Sequence, residues 1–372
     1  MKQLKIFRLL PAMLLAVCLS LSFAACGGQA DSLPAAKATP APAEESAAIT
    51  TEPGSAVENA GAATYTSPQP AASVDTELPV RVMTLNGTTG FGMAGLMAEA
   101  AAGNADTALN YRFTVETDPS NVTAALVNGD CDIAALPTNA AAALYNKTGG
   151  AVQVLALNTR GVLYLVTDGS VEIHELADLA GQTVFAPAQN PSFIFAALCK
   201  ANDVEVNIDN RYAQPAELNT AVAAGEVSLA VLPEPMVTVA RSQNEKLTVA
   251  LDLTEEWDKA AVPGSLVQGC AVVRRDFAAD HPAELTAFLK DYETSIALLS
   301  EDPATAAQAI EDTGIFAKAA VAQKAIPNCN ICFVTGEEMR EQFGAFLEIM
   351  AEAAPQSIGG AVPGQDFYCI LP

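Results

Sequence analysis

The chain has 372 residues, with 43 Asp and Glu against 19 Lys and Arg, a formal net charge of −24, and 51% hydrophobic residues. So acidic a balance excludes nucleic acid as a partner, because neutralising a phosphate backbone needs clustered Lys and Arg. The two histidines, His174 and His281, lie outside the loops singled out below, so neither a Ser-His-Asp centre nor a His-based metal site can be assembled; no metal and no cofactor are expected.

Residues 1–26 read as an export signal. Lys2, Lys5 and Arg8 make a positive start, and the apolar run Leu9 to Phe23 is too short for a comfortable membrane span. Phe23-Ala24-Ala25-Cys26-Gly27 then resembles a bacterial lipobox, which implies Cys26 as the lipidated first residue of the mature chain. Plain secretion with small-residue cleavage is the alternative; either way the protein is expected to work outside the cytoplasm. Residues 27–77 are Ala, Pro, Ser, Thr and Glu with few large apolar side chains, a composition that cannot offset its ordering entropy. They are expected to form a disordered tether spanning on the order of 40 Å by the square-root rule. Of the 43 acidic residues 7 lie in this tether, and of the 19 basic ones 3 lie in the signal and 1 in the tether, so residues 78–372 carry 36 against 15.

The folded part opens on Val80–Leu85, a β-branched strand pattern after a proline, followed by Gly87-Thr88-Thr89-Gly90 and a Met/Ala/Leu helix to about Ala102. Gly90, Gly92 and Gly95 spell G-x-G-x-x-G, with Glu116 at the end of the next predicted strand, the dinucleotide pattern. Small residues at the same positions equally serve close packing of a helix on its sheet. Strand and helix patterns then alternate: a strand at Tyr111–Thr117, a helix at Pro119–Asn128, a strand at Asp132–Leu136, a helix at Thr138–Lys147, and strands at Val152–Leu157 and Val162–Val166. A second series follows, with a turn at His174–Leu179, a strand at Thr183–Ala186, a helix at Ser192–Ala201, the short stretch Asn210–Tyr212, and a helix at Pro215–Ala224. It closes with a strand at Ser228–Leu232, a helix at Glu234–Arg241, strands at Leu247–Leu251 and Cys270–Arg274, and an all-helical tail from about Phe277. Such alternation predicts α/β architecture with mostly parallel sheets flanked by helices.

In this order of elements the chain resembles the two-lobed type 2 periplasmic binding protein fold. In particular it is similar to the exported lipoproteins that carry nitrate, sulfonates, taurine or thiamine-precursor pyrimidines to ABC importers. The resemblance rests on Asp132-Ile-Ala-Ala-Leu-Pro-Thr-Asn139, on Leu176-Ala-Asp-Leu-Ala-Gly-Gln-Thr-Val184 and on Ala221 to Pro235. It implies a first lobe beginning at 78–165, a second lobe at 166–253, and a return to the first lobe with C-terminal helices at 254–372. It also implies a monomer that binds a small-molecule ligand, contacts ABC permease subunits and is held at the membrane by its lipid.

Four strand-to-helix junctions are the candidate ligand loops, because such junctions place backbone donors at the carboxyl edge of a sheet. They supply Gly87, Thr88, Thr89 and Gly90; Thr138 and Asn139, with Thr138 as N-cap; Gln189, Asn190 and Ser192; and Glu234. Arg160 is the one cation near them. Each hydroxyl or amide also suits an ordinary cap or turn, Glu234 can stabilise its own helix start, and Arg160 can pair with surface carboxylates. Phe91, Tyr145 and Phe193 suit either a ring sandwich or the core. The donor set suits a small polar or anionic solute, with Glu234 favouring an amine or pyrimidine amino group.

Exported thiaminases and some menaquinone-pathway enzymes also resemble this fold, so an exported enzyme acting on a thiamine- or pyrimidine-like substrate is the alternative function, and a dinucleotide-binding oxidoreductase a more distant one. The exported enzyme's nucleophile would be Cys131, which sits at the wrong end of its strand for the cleft. The other cysteines of the folded part are Cys199, Cys270, Cys329, Cys332 and Cys369. For the C-x-x-C at 329–332 a local disulfide, a bridge to Cys369 and two buried thiols all stay open.

Overall fold

Val80, Val82 and Leu85 are buried while Arg81 and Met83 are half-buried, and this alternation forms the first strand, β1 (Pro79–Leu85). The computed structural model describes residues 73–103, 107 and 109–371, all within the unit Ser67–Pro372. The signal segment, Cys26 and most of the expected tether lie outside the described residues.

After β1 come α1 (Thr88–Phe91), α2 (Ala94–Ala102), β2 (Asn110–Glu116), α3 (Pro119–Asn128), β3 (Ile133–Pro137), α4 (Thr138–Thr148) and β4 (Val152–Arg160). Asp118 caps α3 by accepting from the Ser120 N–H, and Gly129 ends that helix at φ 77°, a backbone that favours glycine. The second series is β5 (Leu163–Thr167), a 3₁₀ turn at Leu176–Leu179, β6 (Thr183–Phe185), α5 (Asn190–Ala201), β7 (Asn207–Asp209), α6 (Pro215–Ala224), β8 (Leu229–Pro233), α7 (Met236–Gln243) and β9 (Thr248–Asp252). The chain continues through α8 (Leu253–Ala260), β10 (Val267–Arg274), α9 (Arg275–Asp280), α10 (Pro282–Glu301), α11 (Pro303–Asp312), α12 (Ala319–Ala325), a 3₁₀ turn at Ile326–Asn328, β11 (Ile331–Val334) and α13 (Gly336–Ala353).

Two sheets result, one ordered β11-β4-β10-β3-β1-β2 and the other β7-β6-β8-β5-β9. The pairings set β1, β2, β3 and β4 running one way, with β10 reversed between β3 and β4 and β11 reversed at the edge. In the second sheet only β5 is reversed, between β8 and β9. The expected two sheets of mostly co-directional strands flanked by helices are therefore present. Side chains alternate across them: Val152, Val154 and Leu157 of β4 join one core, Leu155 and Ala156 the other. The first of these cores continues through Leu163 and Leu165 of β5 to Trp257, Phe343 and Phe346, so apolar packing runs without a break between the sheets.

Several elements differ from the sequence expectation. The edge strand Asn207–Asp209, just before the stretch Asn210–Tyr212, was not anticipated, because three residues paired with Thr183–Phe185 carry too little apolar pattern to place it. The helix α8 was not anticipated; Asp252 caps it through the Thr254 N–H at 2.8 Å, and it buries Leu253 and Trp257. The tail is not all-helical, since Ile331–Val334 pairs antiparallel with β4. The Met/Ala/Leu helix starts only at Ala94, after the separate turn α1.

Candidate functional site

The carboxyl ends of both sheets meet at one crossover. Arg160, the last residue of β4, pairs with Val267, and Pro137, the last residue of β3, pairs with Gly269, so both strand ends lie beside the start of β10. Three residues later Leu163 opens β5 against Pro233, the last residue of β8. A connection this short brings together the strand ends that carry α4 and the loop before α7. Gly161 makes that approach close: a Cβ there would lie 2.2 Å from Thr254 Oγ1 and 2.7 Å from Leu266 Cδ2. The next residue is held at both its peptide groups, with Val162 N–H donating to Gln268 Oε1 at 2.7 Å and Val162 O accepting the Glu234 N–H at 2.9 Å.

At the first junction Gly87 has φ 83°, and its N–H donates to Ile315 O at 3.2 Å. Thr88 and Thr89 are half-buried, and Thr89 O accepts from Asn158 Nδ2 at 3.3 Å. Gly90 is buried; a Cβ would lie 2.0 Å from Leu85 O. Gly92 and Gly95 are equally filled, by Ile296 Cγ1 at 2.8 Å and Ser295 Oγ at 2.9 Å. The three glycines thus pack α1 and α2 onto β1 and α10, and they leave no cradle for a pyrophosphate.

At the second junction Pro137, not Thr138, occupies the cap position of α4. Thr138 is fully buried, and its hydroxyl donates to Val267 O at 2.8 Å, tying the helix start to β10. Proline at 137 carries the extended backbone that precedes a helix, which frees the threonine for this cross-strand bond. Asn139 is 9% exposed, and its Oδ1 is buried without a hydrogen-bond partner.

In the second lobe Gln189 is exposed and held at φ 65°, a left-handed conformation costly for a residue with a Cβ. The surrounding loop fixes it: Ser192 Oγ donates to Pro187 O at 2.9 Å and accepts from Asn210 Nδ2, and Ala188 N–H donates to Ala213 O at 3.0 Å. Ser192 is therefore spent on loop structure. Asn190 opens α5, and its Oδ1 is also buried and unpartnered.

Glu234 is 3% exposed, and its carboxylate accepts from Thr238 N–H at 3.1 Å and from the Thr238 hydroxyl at 3.0 Å. Burial raises its pKa above the ordinary carboxylate value, against the lowering effect of the Thr238 and Asn328 hydrogen bonds and of Arg241. It serves the start of α7. Arg160 turns toward α13, with Nη2 3.4 Å from Gln342 Oε1 and 3.6 Å from Glu338.

The structure thus sorts the predicted residues. Thr138, Ser192, Glu234 and Arg160 have protein partners; Thr88, Thr89, Asn139 and Asn190 bring polar groups to three helix starts. The 11-residue α4 and 12-residue α5 each present a positive end and first-turn N–H groups without intrahelical partners. Phe91 is fully buried, Tyr145 packs on Phe367, and Phe193 packs against the main core, so all three belong to the interior. Cavities of about 250 Å3 beside α5, α8 and α13 and about 660 Å3 between α2 and α10 hold none of the candidate ligand-loop residues. Sequence reasoning missed Tyr164, Gln268, Asn328 and Asn330, which surround the crossover; the available signal was an amide or hydroxyl in an apolar run.

Cys131 lies at the amino end of β3, fully buried, with its thiol donating to Ile133 O at 3.0 Å and burial pushing it up to about 12. It faces away from the crossover. All six described cysteines are free thiols, and no His/Cys/Asp/Glu metal cluster occurs among the described residues.

Solved structures similar to the chain include an ABC transporter protein from Parabacteroides distasonis, 24% identical over 79% of this chain and 99% of that one, with a TM-score of 0.68. The periplasmic aliphatic sulphonate binding protein SsuA from Escherichia coli is 15% identical over 77% and 97%, with a TM-score of 0.61. A zinc-bound ligand binding component of an ABC-type import system from Staphylococcus aureus is 14% identical over 78% and 96%, at 0.59. The expected periplasmic binding protein fold is borne out. A family model described as menaquinone biosynthesis matches residues 106–325, more than half of the sequence. The chain belongs to that family. None of the curated proteins matches it. For this member of the menaquinone biosynthesis family the matched segment contains Thr138, Asn139, Asn190 and the whole second sheet, and it ends at the last residue of α12.

Proposed function

We propose that the protein is an extracytoplasmic solute-binding lipoprotein that captures a small polar or anionic organic solute between its lobes and delivers it to an ABC importer. The observation that carries this is the pair of helix starts at α4 and α5. One comes from each sheet, and each bears an asparagine whose side-chain oxygen has no protein partner. Positive helix ends attract an anionic group, and the unpaired amides reward a ligand that also offers hydrogen-bonding groups. Thr88 and Thr89 add hydroxyls from the first lobe. Cys26, lipidated at the membrane, would tether the head through residues 27–77, and the head would act as a monomer.

The family's description favours a second function, a biosynthetic enzyme on the same fold. Within the described residues the arrangement lends it little chemistry: Cys131 faces away from the crossover, and Glu234 is capped by its own helix. A thermal-shift screen of the full chain against sulfonates, nitrate, amino acids and pyrimidines tests the binding function. A solute at about 100 times its dissociation constant should add about 2.7 kcal/mol of stability. Recovery of that solute unchanged after incubation with stoichiometric protein supports binding; conversion to a product supports the enzyme. Cys26→Ala should release the protein from the membrane, and unchanged fractionation would remove the anchor.

A further inference from the structure

A short arm of the C-terminal region reaches from the first lobe to the second. It comprises α12, the 3₁₀ turn Ile326–Asn328 and the step to Asn330. Its root is fixed, since Ala322, Ala325, Ile326 and Cys329 are buried in the core behind the first sheet. Its far side packs on α7 of the second lobe. Asn328 O accepts the Tyr164 hydroxyl of β5 at 2.8 Å, and the Asn328 side chain lies beside the buried Glu234 carboxylate. Asn330 takes φ 45°, donates Nδ2 to Gly161 O at 2.6 Å and accepts the Arg160 N–H at 3.0 Å.

These bonds fall on both sides of the pivot. Gly161 lies in the direct crossover from β4 to β5, and Asn330 holds a peptide group on each side of the Arg160–Gly161 link. Asn328 meanwhile joins the first-lobe arm to the strand and the helix start that flank the crossover in the second lobe. Opening would also hydrate Glu234, which faces Thr238, Arg241, Asn328, Tyr164 and Cys329. We propose that residues 319–330 are an inter-lobe latch. Asn328 and Asn330, rooted in the first lobe, clamp the crossover and the Glu234 end of the second sheet, so that the lobes separate only when these bonds release. The C-x-x-C pair then has a packing role: Cys329, a buried free thiol between Asn328 and Asn330, anchors the turn that carries them. The latch does not depend on which solute is bound, and it stands whether the protein carries or converts that solute.

Hydrogen exchange and small-angle scattering on the full chain test it. Asn330→Ala and Tyr164→Phe each delete one latch bond; Asn330→Gly deletes the amide while keeping the positive φ, separating bond loss from backbone strain. Thr294→Ala, which removes an exposed intrahelical hydroxyl bond, is the control. All three latch variants should accelerate exchange over residues 160–164 and 234–238 by about 2- to 10-fold, the equivalent of one neutral hydrogen bond. Exchange in β3 should match the parent, and the radius of gyration should rise. Unchanged exchange at the crossover, or equal acceleration in β3, would overturn the latch.

Discussion

Gly161→Ala should destabilise the protein by a steric route that a second substitution partly reverses. The new Cβ would lie 2.2 Å from Thr254 Oγ1, 3.0 Å from Thr254 Cβ and 2.7 Å from Leu266 Cδ2. Leu266 can swing its terminal methyl aside, but Thr254 sits in the first turn of α8, whose cap at Asp252 fixes it. Forcing atoms into a filled site of this kind costs about 1–3 kcal/mol. Thr254 Oγ1 is buried without a partner, so Thr254→Ala alone gives up no hydrogen bond and should cost little. With the hydroxyl gone the shortest clash disappears, and the double variant should recover a coupling energy of about 1–2 kcal/mol, inside the range for contacting residues. Urea unfolding of the parent, the two single variants and the double variant, followed by far-ultraviolet circular dichroism, measures the cycle. Additivity within about 0.5 kcal/mol would refute the close approach at the crossover.

Thiol-reactive labelling at pH 8 should leave Cys131 and Cys199, both pushed up to about 12, and Cys332, pushed up to about 11, unmodified in the folded chain. Mass spectrometry before and after denaturation counts them, and rapid native labelling of Cys131 would contradict its burial. Glu234→Gln should change the pH dependence of stability. A carboxyl with a raised folded pKa contributes fully below its unfolded value, and that contribution is lost as pH rises through the folded value. The parent should therefore lose stability relative to Glu234→Gln as pH rises above about 4.3, the ordinary glutamate value; urea midpoints that stay parallel above that pH would show that the carboxylate is not buried as described.

Where sequence and structure agree, the local pattern and the tertiary context asked for the same thing. Asp132–Leu136 followed by Pro137-Thr138 marks a buried strand turning into a helix, because an apolar run, a proline and small residues have few other uses in that order. The helices closed by Gly129, Gly149 and Gly225 were legible for the same reason, each glycine taking a positive φ. β11 was not: four residues paired on one side only, overlapping the C-x-x-C at Cys332, carry no alternation strong enough to break a helical stretch. The candidate site shows a sharper limit. Chemistry singled out Thr138, Ser192, Glu234 and Arg160, but whether a hydroxyl or a charge is free depends on which distant atom lies within reach. Val267 O takes Thr138, Asn210 takes Ser192, and Glu338 draws Arg160 aside. Those partners are 18 to 178 residues away in sequence, beyond any spacing rule.

Isothermal titration of Asn139→Ala and Asn190→Ala with the solute that most stabilises the full chain tests the central claim most directly. These residues stand at helix starts from the two lobes, so a ligand held between them loses a hydrogen bond in either variant. A neutral bond is worth about 0.5–1.5 kcal/mol and one to a charged group about 1.5–3. Both substitutions should therefore weaken binding, from about twofold up to about two decades, with thermal stability near that of the parent. Unchanged affinity in both variants would place the ligand elsewhere and contradict the account.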